Sequence, residues 1–353
     1  MEGKKNLKRS AKFFVNLALA LQARLRLAVN RSPKLLILTY HRVLPLDHPE
    51  RKLEQPGMVV SPEVLTLHIQ YMKRIGADII HLDEWLDRKN HSSHLLKPLS
   101  VAFTFDDGWQ DNYQYAYPVL KRERIPATVF LVTKLIDTPE TFWPEKVIEL
   151  LQDKSLNYDS PELQWLKPHL GQNTAILTEG LTVSPEDADP IIRSLKSLDD
   201  ETILDNLMKT QSMNNSTEDT HARRAILSSA EIAEMAEDGQ IKFGAHTRNH
   251  FRLNLLKSAA VLSDQIVGCL EDLRKLPSAD IPIFCYPNGN ESGASQDLVR
   301  RHYTAACTTR TGWNSIEHSD FALKRMNLHD GNSSSHIALL ATIGRGLLGP
   351  KQL

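Results

Sequence analysis

Two adjacent carboxylates, Asp106 and Asp107, stand at the end of the apolar run "VAFTF" and just before Gly108. Like charges held at one spot repel, and each loses hydration in apolar surroundings, so the pair calls for a cation nearby. Farther along, His246 closes the apolar run "IKFGAH", and His250 follows four residues later in "HTRNH". If that segment turns as a helix, imidazoles at i and i+4 share one face and offer two nitrogen ligands to one ion. Neither motif decides anything alone. Asp-Asp-Gly is a common turn without the further oxygens of a calcium loop, and two surface histidines give the second spacing by chance. Their shared placement carries more weight. Both follow buried-strand patterns, and together they supply one carboxylate and two imidazoles, the three-ligand set of a catalytic divalent site that keeps an open position. His41, which closes "LLILTYH", falls at the same kind of place.

The elements that must position these residues follow from hydrophobic patterning. Seven short runs rich in Val, Ile, Phe and Thr read as buried strands: 35–41, 77–82, 101–105, 127–132, 241–246, 281–287 and 303–309. Helical patterns lie between them. "SPEVLTLHIQYMKRIG" opens on a Ser-Pro-Glu cap and stops at Gly76, and "SSAEIAEMAEDG" offers Ser228 with Glu231 as a capping box. Leu262, Ile266, Leu270 and Leu273 mark the apolar face of another helix. Near-continuous apolar strands alternating with helices imply parallel pairing, with helices covering the sheet. The expected fold is therefore α/β, a distorted (β/α) barrel of about seven parallel strands, with an open doubly wound sheet as the other solution. In either, ligands gather at the carboxyl ends of the strands, where Asp106, His246 and His41 fall. Residues from about 140 to 227 break the alternation, and "QSMNNSTED" within them reads as an exposed loop; the segment is expected to be a helical insertion rather than a second domain.

The formal net charge of -1 argues against a nucleic-acid binder, yet residues 1–34 hold nine Lys and Arg against one acid, Glu2. The apolar run of this basic head, Leu17 to Leu21, is shorter than the roughly 7 to 15 residues of a signal sequence and far below a spanning length. Phe14, Leu17, Ala18, Leu21 and Leu25 recur at helical spacing, which suits a helix lying on an anionic membrane or one packed on the body of the protein. Three scattered cysteines, Cys269, Cys285 and Cys307, offer no disulfide framework and fit a reducing compartment. The expected location is cytoplasmic, with peripheral contact at the inner face of the membrane through residues 1–34 as an option. The divisions expected are a basic amphipathic segment at 1–34, a catalytic domain at 35–330 with its insertion, and a C-terminal helix and tail at 331–353.

"TFDDG", "HTRNH" and "FCYPNG" together resemble the polysaccharide deacetylase family, carbohydrate esterase family four, whose fold is a distorted (β/α) barrel. "LTYHRVLP", "DNYQYAYPVLKRERIPATVFLVT" and the Phe142-Trp143 pair are similar to the bacterial branch that acts on exopolysaccharide or related sugars. The likeness runs from about residue 35 to 330. It implies that Asp106 is the general base and that Asp107, His246 and His250 hold one divalent ion, zinc first, with cobalt, nickel or iron accepted by the same donors. It further implies hydrolysis of N-acetyl or O-acetyl groups on a polysaccharide or lipid-linked sugar through attack of water bound to that ion. The resulting oxyanion would be held by the ion and by a backbone N–H near Asn288. Tyr286, beside the same turn, is the candidate for stacking on a sugar ring.

Two departures from the family pattern stand out. Many members carry an arginine just before the Pro-Tyr-Gly-like motif, where it orients the base, and here that place is taken by Cys285. Arg248, inside "HTRNH", is a candidate substitute. The usual acid, a histidine in a late Leu-x-His motif, has no clean match, leaving His41 and His329 as candidates. These gaps keep alternatives open: a glycan-binding or assembly protein on the same barrel with impaired turnover, or an amidohydrolase of non-sugar amides.

Overall fold

The computed structural model describes residues 2–52, 54–55, 57–153, 156, 159–171, 183–213, 225–276 and 280–347. Seven parallel strands close on themselves: β1 (Lys34–Tyr40), β2 (Leu99–Phe105), β3 (Ala127–Leu131), β4 (Ile241–Ala245), β5 (Asp280–Cys285), β6 (Ala305–Thr311) and β7 (Leu323–Asn327). Closure comes from β1, which pairs with β2 from Lys34↔Leu99 to Tyr40↔Phe105 and with β7 at Leu38↔Met326 and Thr39↔Asn327. The fold is thus the distorted (β/α) barrel rather than the open sheet. One strand differs from expectation. Residues 77–82 contribute only the short edge strand Asp78–Ile79 beside β2, outside the ring, and the seventh barrel strand is β7, with the sequence "LKRMN".

Side chains alternate across each strand, so every second residue enters the barrel. Leu35, Ile37, Ala102, Phe130, Ile283, Cys285, Cys307 and Leu323, from six strands, form one apolar cluster that fills the interior. Thr39 and Thr104 share a hydrogen bond of 2.9 Å in the layer above. The next residues in these inward rows are His41 and Asp106, at the carboxyl ends. The alternate set, among it Leu36, Leu38, Tyr40, Phe103 and Phe243, packs outward against the helices.

The helices begin and end as the capping chemistry requires. Ser61 accepts a hydrogen bond from the Val64 N–H at the start of helix Pro62–Arg74, and Ser228 with Glu231 forms the reciprocal capping box of helix Ser229–Ala236. Leu262, Ile266, Leu270 and Leu273 are buried along one helical segment, which carries a π-turn at Asp264–Gly268. The segment after β3 builds helices Trp143–Gln152, Pro185–Leu195 and Asp200–Met213 around a separate apolar core that includes Val147, Leu151, Leu166, Ile192 and Ile203. Most of "QSMNNSTED" lies outside the described residues.

His68, on helix Pro62–Arg74, ties β1 to the start of the C-terminal helix region. Its Nε2–H donates to the Ser333 carbonyl at 2.8 Å, which leaves Nδ1 to accept from the Tyr40 hydroxyl at 3.0 Å. Burial pulls its pKa from 6.5 down to about 4, only partly offset by the Ser333 hydrogen bond. A depressed folded pKa means that the unfolded chain binds the proton first as pH falls, so stability is lost between pH 6.5 and 4. This one group should cost about 3 kcal/mol by pH 4. In His68→Gln, denaturant midpoints measured across that window should show a visibly flatter pH dependence than in the parent protein.

Candidate active site

Barrel geometry gathers the chemistry at one mouth. Asp106 and Asp107 follow β2, His246 follows β4, and Asp106 is fixed by its N–H donating to the Tyr40 carbonyl at 2.9 Å. Asp107 and Gly108 both adopt left-handed backbone, with φ of 74° and 76°. At Gly108 a side chain is also barred by space, because a Cβ would stand 2.8 Å from Leu131 Cδ2. This turn aims the two neighbouring carboxylates in different directions.

Asp107 Oδ1 lies 3.4 Å from His246 Nε2 and 3.4 Å from His250 Nε2. The two imidazoles do not share a helix as their spacing predicts. Residues 246–250 form an irregular loop with Thr247 at φ 66° and His250 at φ 61°, and the rings meet edge to face with centroids 5.0 Å apart. Non-glycine residues in this region carry strain, and here it is concentrated at the converging ligands. His246 Nδ1–H donates to the Cys285 carbonyl at 2.7 Å, so its Nε2 presents a lone pair to the carboxylate. Asp107 Oδ1 is buried with no hydrogen-bond donor among the described residues, while Oδ2 accepts from Trp109 Nε1 at 2.9 Å. Acceptors facing acceptors at this distance need a proton or a cation between them. Burial opposes ionisation of Asp107, but the histidines around it outweigh that and hold its pKa well below the usual carboxylate range. Burial lowers His250 to about 4, despite the pull of Asp107. Burial works against a charged His246, but its neighbours Cys285 and Asp107 outweigh that and hold its pKa well above 6.5, so a cation bound here would take the place of a proton. A carboxylate and two imidazoles, all ligand atoms within 4.8 Å of one another, fit a divalent metal.

Asp106 is not one of that trio, although it lies with His246 and Cys285 in a second close group. Its Oδ1 accepts a 2.7 Å hydrogen bond from Arg325 Nη1, and its Oδ2 lies 3.8 Å from His41 Nε2 and 3.8 Å from Cys285 Sγ. Burial would raise its pKa, but Arg325, then His246 and His41, keep it below the ordinary value. Arg325 thus occupies the place left by Cys285, reaching the carboxylate from β7 instead of β5. Sequence reasoning missed it along with the strand that carries it. The signal was the alternation in "LKRMN", where Leu323 and Arg325 share the inward row. Arg248 does not substitute: it lies across Gly268 and pairs with Asp264 and Asp272.

A cleft of about 380 Å³ opens over these groups, lined by His41, Trp109, Phe142, Trp143, Glu145 and Lys196 among others. His41 enters it with Nδ1 buried and unpartnered among the described residues. His329 is absent from the lining, and its Nδ1 accepts from the Gly331 N–H at 3.2 Å, capping a short helix. Tyr286 does line the cleft but is only 1% exposed, with its ring against Phe284, so no face is free for stacking as expected of it. Phe142, from the insertion, also lines the cleft but is itself largely buried, packed edge-on against both His250 and Trp109 at 5.0 Å. Asn288, at φ 53°, also lines the cleft, and its Oδ1 accepts from Lys196 Nζ at 3.2 Å.

The polysaccharide deacetylase family description matches residues 96–157 and 203–306. YxkH of Bacillus subtilis (strain 168) is 40% identical over 77 residues, covering 21% of this chain and 28% of that protein. The poly-beta-1,6-N-acetyl-D-glucosamine N-deacetylase of Staphylococcus epidermidis is 33% identical over 108 residues, covering 29% and 37%. Each match therefore spans well under half of the curated relative's length. Among solved structures, the Streptococcus pyogenes deacetylase PplD in complex with acetate has a similar fold, with a TM-score of 0.57 and 20% identity over 88% of this chain and 99% of that one. Its motifs, its closed barrel and the family match agree: the chain carries a polysaccharide deacetylase domain, matched over residues 96–157 and 203–306.

Proposed function

We propose that this protein removes acetyl groups from amino-sugar residues of a polysaccharide or lipid-linked sugar, N-acetyl first and O-acetyl second. One observation carries the reading: a carboxylate–imidazole–imidazole set sits beside a second carboxylate, Asp106, that is flanked by a fixed cation and a histidine. A divalent ion on Asp107, His246 and His250, zinc in our reading, would polarise the acyl carbonyl and lower the pKa of water from ~15.7 towards ~7. Asp106 accepts the proton of the attacking water on Oδ2, because Arg325 engages Oδ1. His41, facing the same oxygen, delivers a proton to the departing nitrogen as the carbon–nitrogen bond breaks, so acetate and a free amine result. In "YPNGN", Tyr286, Gly289 and Asn290 spend their N–H groups within the protein and Pro287 has none, which leaves the Asn288 N–H for the oxyanion. The S. epidermidis relative, whose name specifies a poly-N-acetylglucosamine, supports a β-linked amino-sugar polymer as substrate.

The reading of an impaired glycan-binding protein rests on a missing arginine and an unplaced acid. Arg325 and His41 stand in both places, so nothing in the site favours it. Acetate release from acetylated glucosamine oligomers tests the proposal. Release should vanish after chelation, return with zinc or cobalt, and be absent with simple non-sugar amides. Oligomer binding without acetate at any metal would count against the enzyme, and turnover of the simple amides alone would make it a different amidohydrolase.

A further inference from the structure

The N-terminal helix Glu2–Val29 is attached to the barrel by one face. Ala20 and Ala23 are buried, and Leu27 is half-buried on the same side. Across from them, Gly344 of the C-terminal helix His336–Leu347 lets the backbones approach so closely that a Cβ there would stand 2.5 Å from the Leu19 carbonyl oxygen. Arg345 adds a hydrogen bond to Asn16. Small residues thus face the body, and the large apolar ones turn away from it.

At ~100° per residue, the side opposite Ala20 and Ala23 carries Phe14, Ala18, Leu21, Leu25 and Val29. Phe14 is 66% exposed, Leu21 58% and Leu25 63%. Of the eleven exposed large hydrophobic residues among the described residues, six lie on this one helix, which is a concentration rather than ordinary surface scatter. Arg24 and Arg26, both exposed, fall on the two flanks of the stripe. With nine basic residues and one acid in residues 1–34, a second copy of the same face would bring like charges together. No helix among the described residues is long and apolar enough to cross a membrane.

We infer that the outward face of this helix binds the surface of an anionic lipid bilayer, with Phe14, Leu21 and Leu25 at the acyl boundary and Arg24 and Arg26 among the headgroups. The inference is independent of the chemistry at the barrel mouth. Because the helix is packed on the body, binding would also fix how the barrel is presented to the bilayer.

Cosedimentation of the full chain with phosphatidylcholine vesicles, with and without phosphatidylglycerol, tests it. Binding should require the anionic lipid and weaken as salt shortens the screening length. Leu21→Glu with Leu25→Glu should lower partitioning at least tenfold, whereas Leu95→Glu, exposed elsewhere, should leave it unchanged. Arg24→Gln with Arg26→Gln should lower it about 30-fold, at about 1 kcal/mol per charge. Phe14→Gln probes the same stripe independently and should act in the same direction if the double leucine variant folds poorly. Parent protein that ignores anionic vesicles, or stripe variants that bind like the parent, would overturn the inference. So would concentration-dependent self-association that the Leu21 and Leu25 changes abolish, which would assign the face to a second copy.

Discussion

Asp106→Asn should lower acetyl release by about 10²- to 10⁴-fold, the range lost with a positioned general base. Metal affinity should hold, because Asp106 lies outside the close trio of Asp107, His246 and His250. The variant also tests the arginine. Arg325 is buried, and besides Asp106 it donates from Nε to the Thr308 carbonyl at 3.0 Å. Neutralising its partner strands a buried charge, so stability should fall with activity. Adding Arg325→Met should recover much of that stability, since a buried pair replaced by uncharged groups is often near neutral, while acetyl release stays lost. Denaturant unfolding and acetate assays on the two single variants and the double variant separate these effects. A double variant that regained activity would remove Asp106 from the chemistry.

The second large effect concerns Asp200, a residue of the insertion with no place in the cleft lining. It is buried, and it accepts from the Arg252 N–H at 2.6 Å, from Arg252 Nε at 2.9 Å and from Trp143 Nε1 at 3.0 Å. Arg252 in turn caps the Lys196 and Leu198 carbonyls at 2.7 and 2.6 Å. One carboxylate therefore joins the insertion to the loop two residues past His250. Asp200→Ala leaves Arg252 uncompensated and should cost about 3–5 kcal/mol. Freed of that anchor, the His250 loop should also bind metal about 10- to 100-fold more weakly. Urea unfolding and cobalt titration check the two effects. A destabilised variant with unchanged cobalt affinity would reduce Asp200 to a fold-holding residue.

What could be read from the residues follows the physics of each position. β1 to β5 and the first four residues of β6 are legible because both of their faces are largely buried, so the strand is a near-continuous apolar word. β7 is not, because Arg325 faces the catalytic mouth and Lys324 lies only half-buried: a buried ion pair looks polar until its partner is known. Strand ends and spacing point to one carboxylate of the 106–107 pair with His246 and His250, the family resemblance singles out Asp107, and the structure brings those three together, whereas the helix expected between the histidines is not formed. Loop strain at Thr247 and His250 does that work, and no local propensity signals it. Phe142 and Trp143 were visible as a motif, but their role as a wall depends on the Asp200 anchor about 60 residues on, which no short pattern contains.

The arginine that pairs with Asp106 comes from the last strand of the ring, so the order of synthesis matters. While the chain is being made, Asp106 emerges early and waits through more than two hundred further residues without its counter-charge. Nascent or prematurely terminated products that end before residue 323 would hold all three candidate metal ligands yet lack a closed barrel and the counter-charge of Asp106. On the proposed chemistry, competence at this centre would wait until β7 slots in beside β1.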